Sequence, residues 1–166
     1  MSLAFVGLGS NLADRAANIR EARERLVHAG VRVTRASNVY ETAPRDMLEQ
    51  PWFLNQVVEV ETTRSARSLL DLLLSIEKEM GRWRATLKGP RLIDLDLLIY
   101  GEEVIKEPGL EVPHPRISER RFVLEPLAEL APDLQVPSEI KIRRTVRELL
   151  EEVRGQAVRR VRREEP

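Results

Sequence analysis

The chain has no cysteine among its 166 residues, which excludes disulfides, thiolate nucleophiles and cysteine-ligated metals. Aromatic residues make up only 4%, too few to spread a base-stacking platform over a sheet. Neither sign of charge is in excess: 27 Lys and Arg balance 27 Asp and Glu, so bulk charge offers nucleic acid no attraction. The longest N-terminal apolar run, residues 3–8, is too short for a signal-peptide core or a membrane span. Gly7-x-Gly9 precedes a helical pattern, but Leu12 stands where a dinucleotide fingerprint needs its third glycine. A Gly-Lys-Ser/Thr phosphate loop is missing too. With 42% hydrophobic and 33% charged residues, the composition is that of one cytoplasmic, soluble domain with no nucleic-acid or membrane partner.

Periodicity orders the first hundred residues as β-α-β-β-α-β. Residues 3–8 read as a strand ending at Gly7-Leu8-Gly9. Leu12, Ala16, Ile19, Ala22, Leu26 and Ala29 then recur at helical spacing, with Asn11 or Asp14 as cap and Gly30 as stop. Residues 31–41 read as a second strand, 42–51 as a loop and 53–62 as a third strand. Leu69, Leu72, Leu73, Ile76 and Met80 form a helix stripe stopped by Gly81, and a polar loop runs over 82–90. The order predicts an α+β, ferredoxin-like fold, an antiparallel sheet with its helices on one face. Beyond it, residues 103–105 and 110–112 suggest short strands, and Pro126 suggests the first position of a helix running to Leu130. Thr145-x-x-Glu148 is a capping box, and the charged tail 159–166 is expected to be mobile.

The most informative stretch is Gly89-Pro90-Arg91-Leu92-Ile93-Asp94-Leu95-Asp96-Leu97-Leu98-Ile99-Tyr100. It reads as a buried strand carrying two acids. Alternation places Asp94 and Asp96 on one face with Leu92, Leu98 and Tyr100, and Ile93, Leu95, Leu97 and Ile99 on the other, against helices. Two like charges so placed repel unless a cation lies between them, and Mg²⁺ takes hard oxygen ligands of this kind. Arg82, Arg84, Lys88 and Arg91 form a basic segment just ahead of the acids, and Arg116, Arg120 and Arg121 form another beyond them. Guanidinium forks suit phosphate oxygens, so acids plus arginines supply the parts of phosphoryl-type transfer. The plainer alternative is a solvated basic loop beside a partly buried acid pair.

Phe53 and Asn55 point the same way along the third strand, an aromatic face beside a carboxamide, which suits a flat heterocycle; a core Phe is the commoner role. His114 lies in Val-Pro-His-Pro-Arg just ahead of the second basic segment, a place from which it can touch phosphate. His28 reads as structural, in the last turn of a helix, and Glu77 as a surface charge at a helix end, with support of Arg82 or Arg91 as the lesser alternative.

Taken together these residues resemble the 6-hydroxymethyl-7,8-dihydropterin pyrophosphokinase family of folate biosynthesis. The resemblance rests on Gly9-Ser10-Asn11, Gln50-Pro51-x-Phe53-Leu54-Asn55, Gly81-Arg82-x-Arg84, Gly89-Pro90-Arg91-x-x-Asp94-Leu95-Asp96, Val112-Pro113-His114 and Arg120-x-Phe122. It implies a single pyrophosphokinase domain over 1–166, with 138–166 an extension of unassigned role. It implies pyrophosphate transfer from ATP to the pterin hydroxymethyl group, releasing AMP; a monomer is expected, with an oligomer left open. Asp94 and Asp96 are then ligands for two Mg²⁺ ions, and Arg82, Arg91, Asp94 and Asp96 the catalytic set. Arg82, Arg84, Arg91, His114 and Arg120 contact ATP. Phe53 and Phe122 stack the pterin, with Asn55, Thr42 and Pro44 at its polar edge. Asp96 is the nearest candidate to accept the hydroxyl proton. Lys88 stands where an aromatic residue often precedes the Gly-Pro-Arg, and Pro115 where some members carry Tyr. A different Mg²⁺-dependent nucleotidyl or phosphoryl transferase and a ferredoxin-like RNA-binding module are the rival readings.

Overall fold

The computed structural model describes residues 1–43, 52–81, 92–139 and 143–161. The chain runs β1 (Ser2–Ser10), α1 (Arg15–His28), β2 (Arg32–Ala36), β3 (Tyr40–Thr42), β4 (Phe53–Thr62), α2 (Ala66–Gly81) and β5 (Asp94–Tyr100). A hairpin of β6 (Ile105–Glu107) and β7 (Leu110–Val112) follows, then α3 (Arg121–Leu130), α4 (Val146–Glu152) and β8 (Val158–Arg160). The main sheet is ordered β5-β1-β4-β3-β8, with β2 also pairing with β4, and every pairing is antiparallel. With β2 and β3 counted as one interrupted strand, this is the ferredoxin-like arrangement.

Local signals account for the helices. Asp14, not Asn11, caps α1, accepting from the Ala17 N–H at 3.1 Å, and Gly30 ends the segment at a φ of +88°. Ile19, Ala22 and Leu26 of α1, with Leu69, Leu73, Ile76 and Met80 of α2, bury one stripe against Ala4, Val6, Leu8, Leu54, Val58 and Val60 of the sheet. Each fully buried aliphatic side chain there stabilises the fold by about 1.5–3 kcal/mol. The opposite face carries a second core, in which Phe5, Val57, Leu98 and Ile99 pack with Ile117, Val123, Leu124, Leu127, Leu149 and Leu150. The two helices of the βαββαβ unit thus share one face as expected, and α3 and α4 cover part of the other. Among the described residues no helix is long and apolar enough to cross a membrane.

Several expectations change. The strand expected over 31–41 is two, β2 and β3: the Ser37 N–H still donates to the Val57 carbonyl, but the Ser37 carbonyl accepts from Gln56 Nε2 at 2.7 Å and its hydroxyl accepts from the Val57 N–H at 3.0 Å. Thr42, expected in a loop, ends β3. The strand expected over 103–105 lies at 105–107. Helix α3 begins at Arg121, so Pro126 is interior; the burial of Val123, Leu124 and Leu127 outweighs the one helical hydrogen bond that proline cannot donate. The capping box forms as expected, with the Glu148 N–H donating to the Thr145 hydroxyl. The tail is not wholly loose, for Arg159 and Arg160 belong to β8.

The Asp-bearing strand differs at one point. Opposite β1, Phe5 faces Ile99 and Val6 faces Leu97, so Leu98 is the extra residue of a β-bulge. The alternation shifts there: Leu95, Leu97 and Tyr100 join the α1/α2 core, while Leu98 and Ile99 join the α3/α4 core. Asp94 and Asp96 keep the shared face expected of them, but Tyr100 and Ile99 have exchanged sides, and Leu92, ahead of the strand, packs against the α1/α2 core instead of standing with the acids.

Candidate active site

The half of the sheet that α3 and α4 leave open carries the candidate site. In register, Asp94 on β5 faces Gly9 on β1, Gly9 faces Asn55 on β4, and Asn55 faces Tyr40 on β3. The next row places Asp96 opposite Gly7. The two glycines therefore leave a floor with no side chain between the acids and Asn55, whose backbones lie two strand spacings, roughly 10 Å, apart. A Cβ at Gly9 would fall 3.0 Å from Asn55 Oδ1 and 3.6 Å from Phe53 Cδ1, so Phe53, Asn55 and Gly9 share one side of the sheet.

Asn55 and Thr42 are buried, and their side chains meet: Asn55 Nδ2 donates to Thr42 Oγ1 at 2.9 Å. That bond leaves the Asn55 carbonyl oxygen turned toward the glycine floor. Phe53, opposite Thr42 in the ladder, is half-buried. An aromatic face and an amide oxygen thus border the trough on the side away from the acids.

Asp94 and Asp96 are both half-buried. Between them on the chain, the Leu95 N–H donates to Glu77 Oε2 at 2.7 Å, so α2 holds the outer edge of β5 at the acids themselves. Glu77 was expected as a surface charge. It is half-buried, and a hydrogen bond to an edge-strand N–H leaves no mark in sequence.

His114 follows a cis Val112–Pro113 bond, and its N–H donates to the Leu98 carbonyl at 2.8 Å, so the bulge residue anchors it. The Arg116 N–H donates to His114 Nδ1 at 3.1 Å, making Nδ1 the acceptor and Nε2 the protonated nitrogen of the neutral ring. Burial holds His114 below the usual imidazole range; Arg120 and Arg116 push it the same way, and Asp96 opposes them. A neutral imidazole presenting an N–H, with Arg120 and Asp96 near enough to act on it, is suited to a phosphate oxygen. The Arg120 guanidinium lies 5.4 Å from the centre of the Phe122 ring, joining the expected ATP contact to the expected ring-stacking residue. Arg121 turns away, donating to Glu125, to the Arg154 carbonyl and to the Gln156 carbonyl, so the second basic cluster contributes fewer charges to the site than its sequence suggests.

The structure therefore gathers Asp94, Asp96, His114 and Arg120 toward one end, with Phe122 beside Arg120, and Thr42, Phe53 and Asn55 across the glycine floor. Arg82, Arg84, Arg91 and Pro44, with Lys88, lie outside the described residues. Among the described residues no group of three or more His, Cys, Asp or Glu side chains could hold a metal ion. Two carboxylates on one face still fit Mg²⁺, which keeps several waters and shares substrate phosphate oxygens rather than needing a full protein cage.

Residues 5–132 match the family model described as 7,8-dihydro-6-hydroxymethylpterin-pyrophosphokinase. The chain is 42% identical over 162 residues to a 2-amino-4-hydroxy-6-hydroxymethyldihydropteridine pyrophosphokinase of Methylorubrum extorquens, covering 97% of this chain and 99% of that one. A Bacillus subtilis protein of the same name is 44% identical over 135 residues, 81% of each chain. Among solved structures, wild-type HPPK-DHPS of Plasmodium falciparum superposes with a TM-score of 0.70 at 17% identity, a likeness of fold. It covers 91% of this chain, which spans only 44% of that one.

Proposed function

The chain belongs to the 7,8-dihydro-6-hydroxymethylpterin-pyrophosphokinase family and transfers a pyrophosphoryl group to hydroxymethyldihydropterin in folate biosynthesis, and we propose that it does so across the glycine-floored trough of β1. ATP is the donor and AMP the leaving product. The pterin lies over Gly9 between Phe53 and Phe122, with Asn55 and Thr42 fixing its polar edge and the Pro44 backbone adding to it. Its hydroxymethyl oxygen then points toward β5, where the triphosphate lies. The observation that carries this reading is the cross-strand row Asp94–Gly9–Asn55, with acids and amide on one face and no side chain between them.

Asp94 and Asp96 would hold two Mg²⁺ ions, which when bound neutralise the phosphate oxygens and polarise the bond to be broken. Arg82, Arg84, Arg91, Arg120 and the Nε2–H of His114 bind the polyphosphate. Arg82 and Arg91 meet charge that develops as AMP leaves, which makes them part of catalysis rather than of ground-state binding. The pterin oxygen attacks the β-phosphorus in line as the bond from that phosphorus to the AMP oxygen breaks, and Asp96 is the candidate to take the hydroxyl proton. Exclusion of water from the trough keeps the pyrophosphoryl group from hydrolysis. The enzyme acts as a cytoplasmic monomer in this reading, over one domain spanning 1–166.

The test is substitution of the acids. Asp94→Asn and Asp96→Asn keep shape and remove charge, and each is expected to lower turnover by on the order of 10² or more with the melting temperature little changed. Near-normal turnover in either, with a Mg²⁺ dependence like that of the parent, would refute the metal assignment.

A further inference from the structure

The chain beyond Pro137, to which the resemblance gave no role, closes the sheet beside the proposed pterin site. We infer that residues 154–160 are a positioning element for pterin, gripping both sides of its site through Arg159 and Gln156. The inference rests on the trough reading given above and assigns it a new part.

The first grip is at β3. This strand has three residues, Tyr40–Thr42, and would be the short edge of the sheet if β8 did not pair with it. Thr42 stands between Val158 on β8 and Phe53 on β4, and Glu41 stands opposite Arg159. Arg159 donates to Glu41 Oε1 from Nε at 3.0 Å, its Nη2 lies 2.9 Å from the same oxygen, and its guanidinium lies 4.7 Å from the Trp52 ring centre. Arg15, from the start of α1, closes the same cluster: its Nη1 donates to the Trp52 carbonyl at 2.7 Å and lies 3.4 Å from Glu41 Oε2. Glu41 and Trp52 immediately precede Thr42 and Phe53. Two arginines from distant parts of the chain thus tie together the residues that set the direction of the Thr42 hydroxyl and the Phe53 ring.

The second grip is at the start of α3. Gln156 Oε1 accepts from the Arg121 N–H at 2.9 Å, and its Nε2 donates to the Glu119 carbonyl at 2.7 Å. Arg121 Nη1 returns bonds of 2.8 Å to the carbonyls of Arg154 and Gln156. These contacts bracket Arg120 and lead into Phe122. One seven-residue stretch therefore fixes, at its two ends, the strand bearing Thr42 and the helix start bearing Phe122.

Arg159 has a side-chain exposure of 67%, so its ion pair adds little to stability. Its effect should fall on binding geometry instead, and this separates a positioning role from a structural one. Initial rates of AMP formation by the full chain are measured with hydroxymethyldihydropterin varied at saturating Mg-ATP, and then with Mg-ATP varied. Arg159→Ala is expected to raise the pterin KM about three- to tenfold, leaving the ATP KM within about twofold and the melting temperature nearly unchanged. Arg159→Lys keeps a cation over Trp52 and is expected to recover much of the loss. Gln156→Ala is expected to raise the pterin KM by a similar factor from the other side. Unchanged pterin KM in both alanine variants would overturn the inference. A fall in melting temperature with equal changes in both KM values would overturn it too, since that marks a structural role. A parent chain that makes no AMP would instead sink the trough reading, and the inference with it.

Discussion

Gly9→Ala probes the trough with a single methyl group. Gly9 lies on β1 between Asp94 and Asn55, and its added Cβ would stand 3.0 Å from Asn55 Oδ1. Carbon and carbonyl oxygen normally meet at about 3.3–3.6 Å, so one of them must give by a few tenths of an ångström. Asn55 cannot swing freely, because its Nδ2 is held by Thr42 at 2.9 Å and Phe53 closes the other side at 3.6 Å from the new methyl. Overpacking of this kind costs about 1–3 kcal/mol, and replacing glycine recovers about 0.4–1 kcal/mol through the unfolded chain. The net effect on stability is about 0–2.5 kcal/mol, a fall of up to ~10 °C for a domain of this size. Binding should suffer beyond that, because the displaced group is the one reading the pterin edge. A misaligned hydrogen bond of about 1–1.5 kcal/mol corresponds to a roughly tenfold rise in pterin KM. Gly7→Ala is the internal control: its Cβ meets Leu98 Cδ1 at 3.5 Å, an ordinary contact. That variant should melt at or slightly above the parent temperature and keep its pterin KM within about twofold. Thermal melts and steady-state rates on the pair decide the matter. Equal pterin KM values in the two variants would refute the placement of the pterin over Gly9.

Tyr40→Phe removes the hydroxyl that donates to Glu129 Oε1 at 2.7 Å and ties β3 to α3. Burial, then the Glu129 carboxylate, raise the Tyr40 pKa, so the phenol stays a donor; its loss should cost about 1 kcal/mol, or ~2–4 °C, in a melt. An unchanged melt would show the latch to be idle. His114 has its pKa depressed by burial, so between that value and the unfolded value of about 6.5 the unfolded chain binds more protons. Stability should therefore fall as pH drops from about 7.5 to 5.5, and His114→Gln should flatten that slope; a steeper slope in the variant would reverse the sign argued here. Arg82→Ala and Arg91→Ala should lose turnover far more than substrate KM, and a change confined to KM would contradict their role at the transition state.

What could be read from sequence followed from pattern strength. The helices and long strands were legible because Leu69, Leu73, Ile76 and Met80 repeat at helical spacing and Thr145 and Glu148 form their box. The bulge was hidden, since Leu97-Leu98-Ile99-Tyr100 is apolar throughout and offers no alternation to break. Strand β8 was hidden for the opposite reason: Val158-Arg159-Arg160 has no apolar face, and its place is set by Thr42, Glu41 and Tyr40 across the ladder. At the site, Asp94 and Asp96 announced themselves as acids set into an apolar strand, Asn55 by sharing a face with Phe53, and His114 by standing just ahead of a basic segment. Glu77 and Arg121 misled because a charge near a helix end looks the same whether it faces water or holds a backbone group.

The central claim is transfer of a pyrophosphoryl group, intact, from ATP to the pterin. Incubating the chain with Mg-ATP and 6-hydroxymethyl-7,8-dihydropterin, and quantifying nucleotide and pterin products together, tests it most directly. AMP and pterin diphosphate should form in equal amounts, with no product when pterin is omitted. ADP with a pterin monophosphate, or free pyrophosphate with a nucleotidylated product, would contradict it.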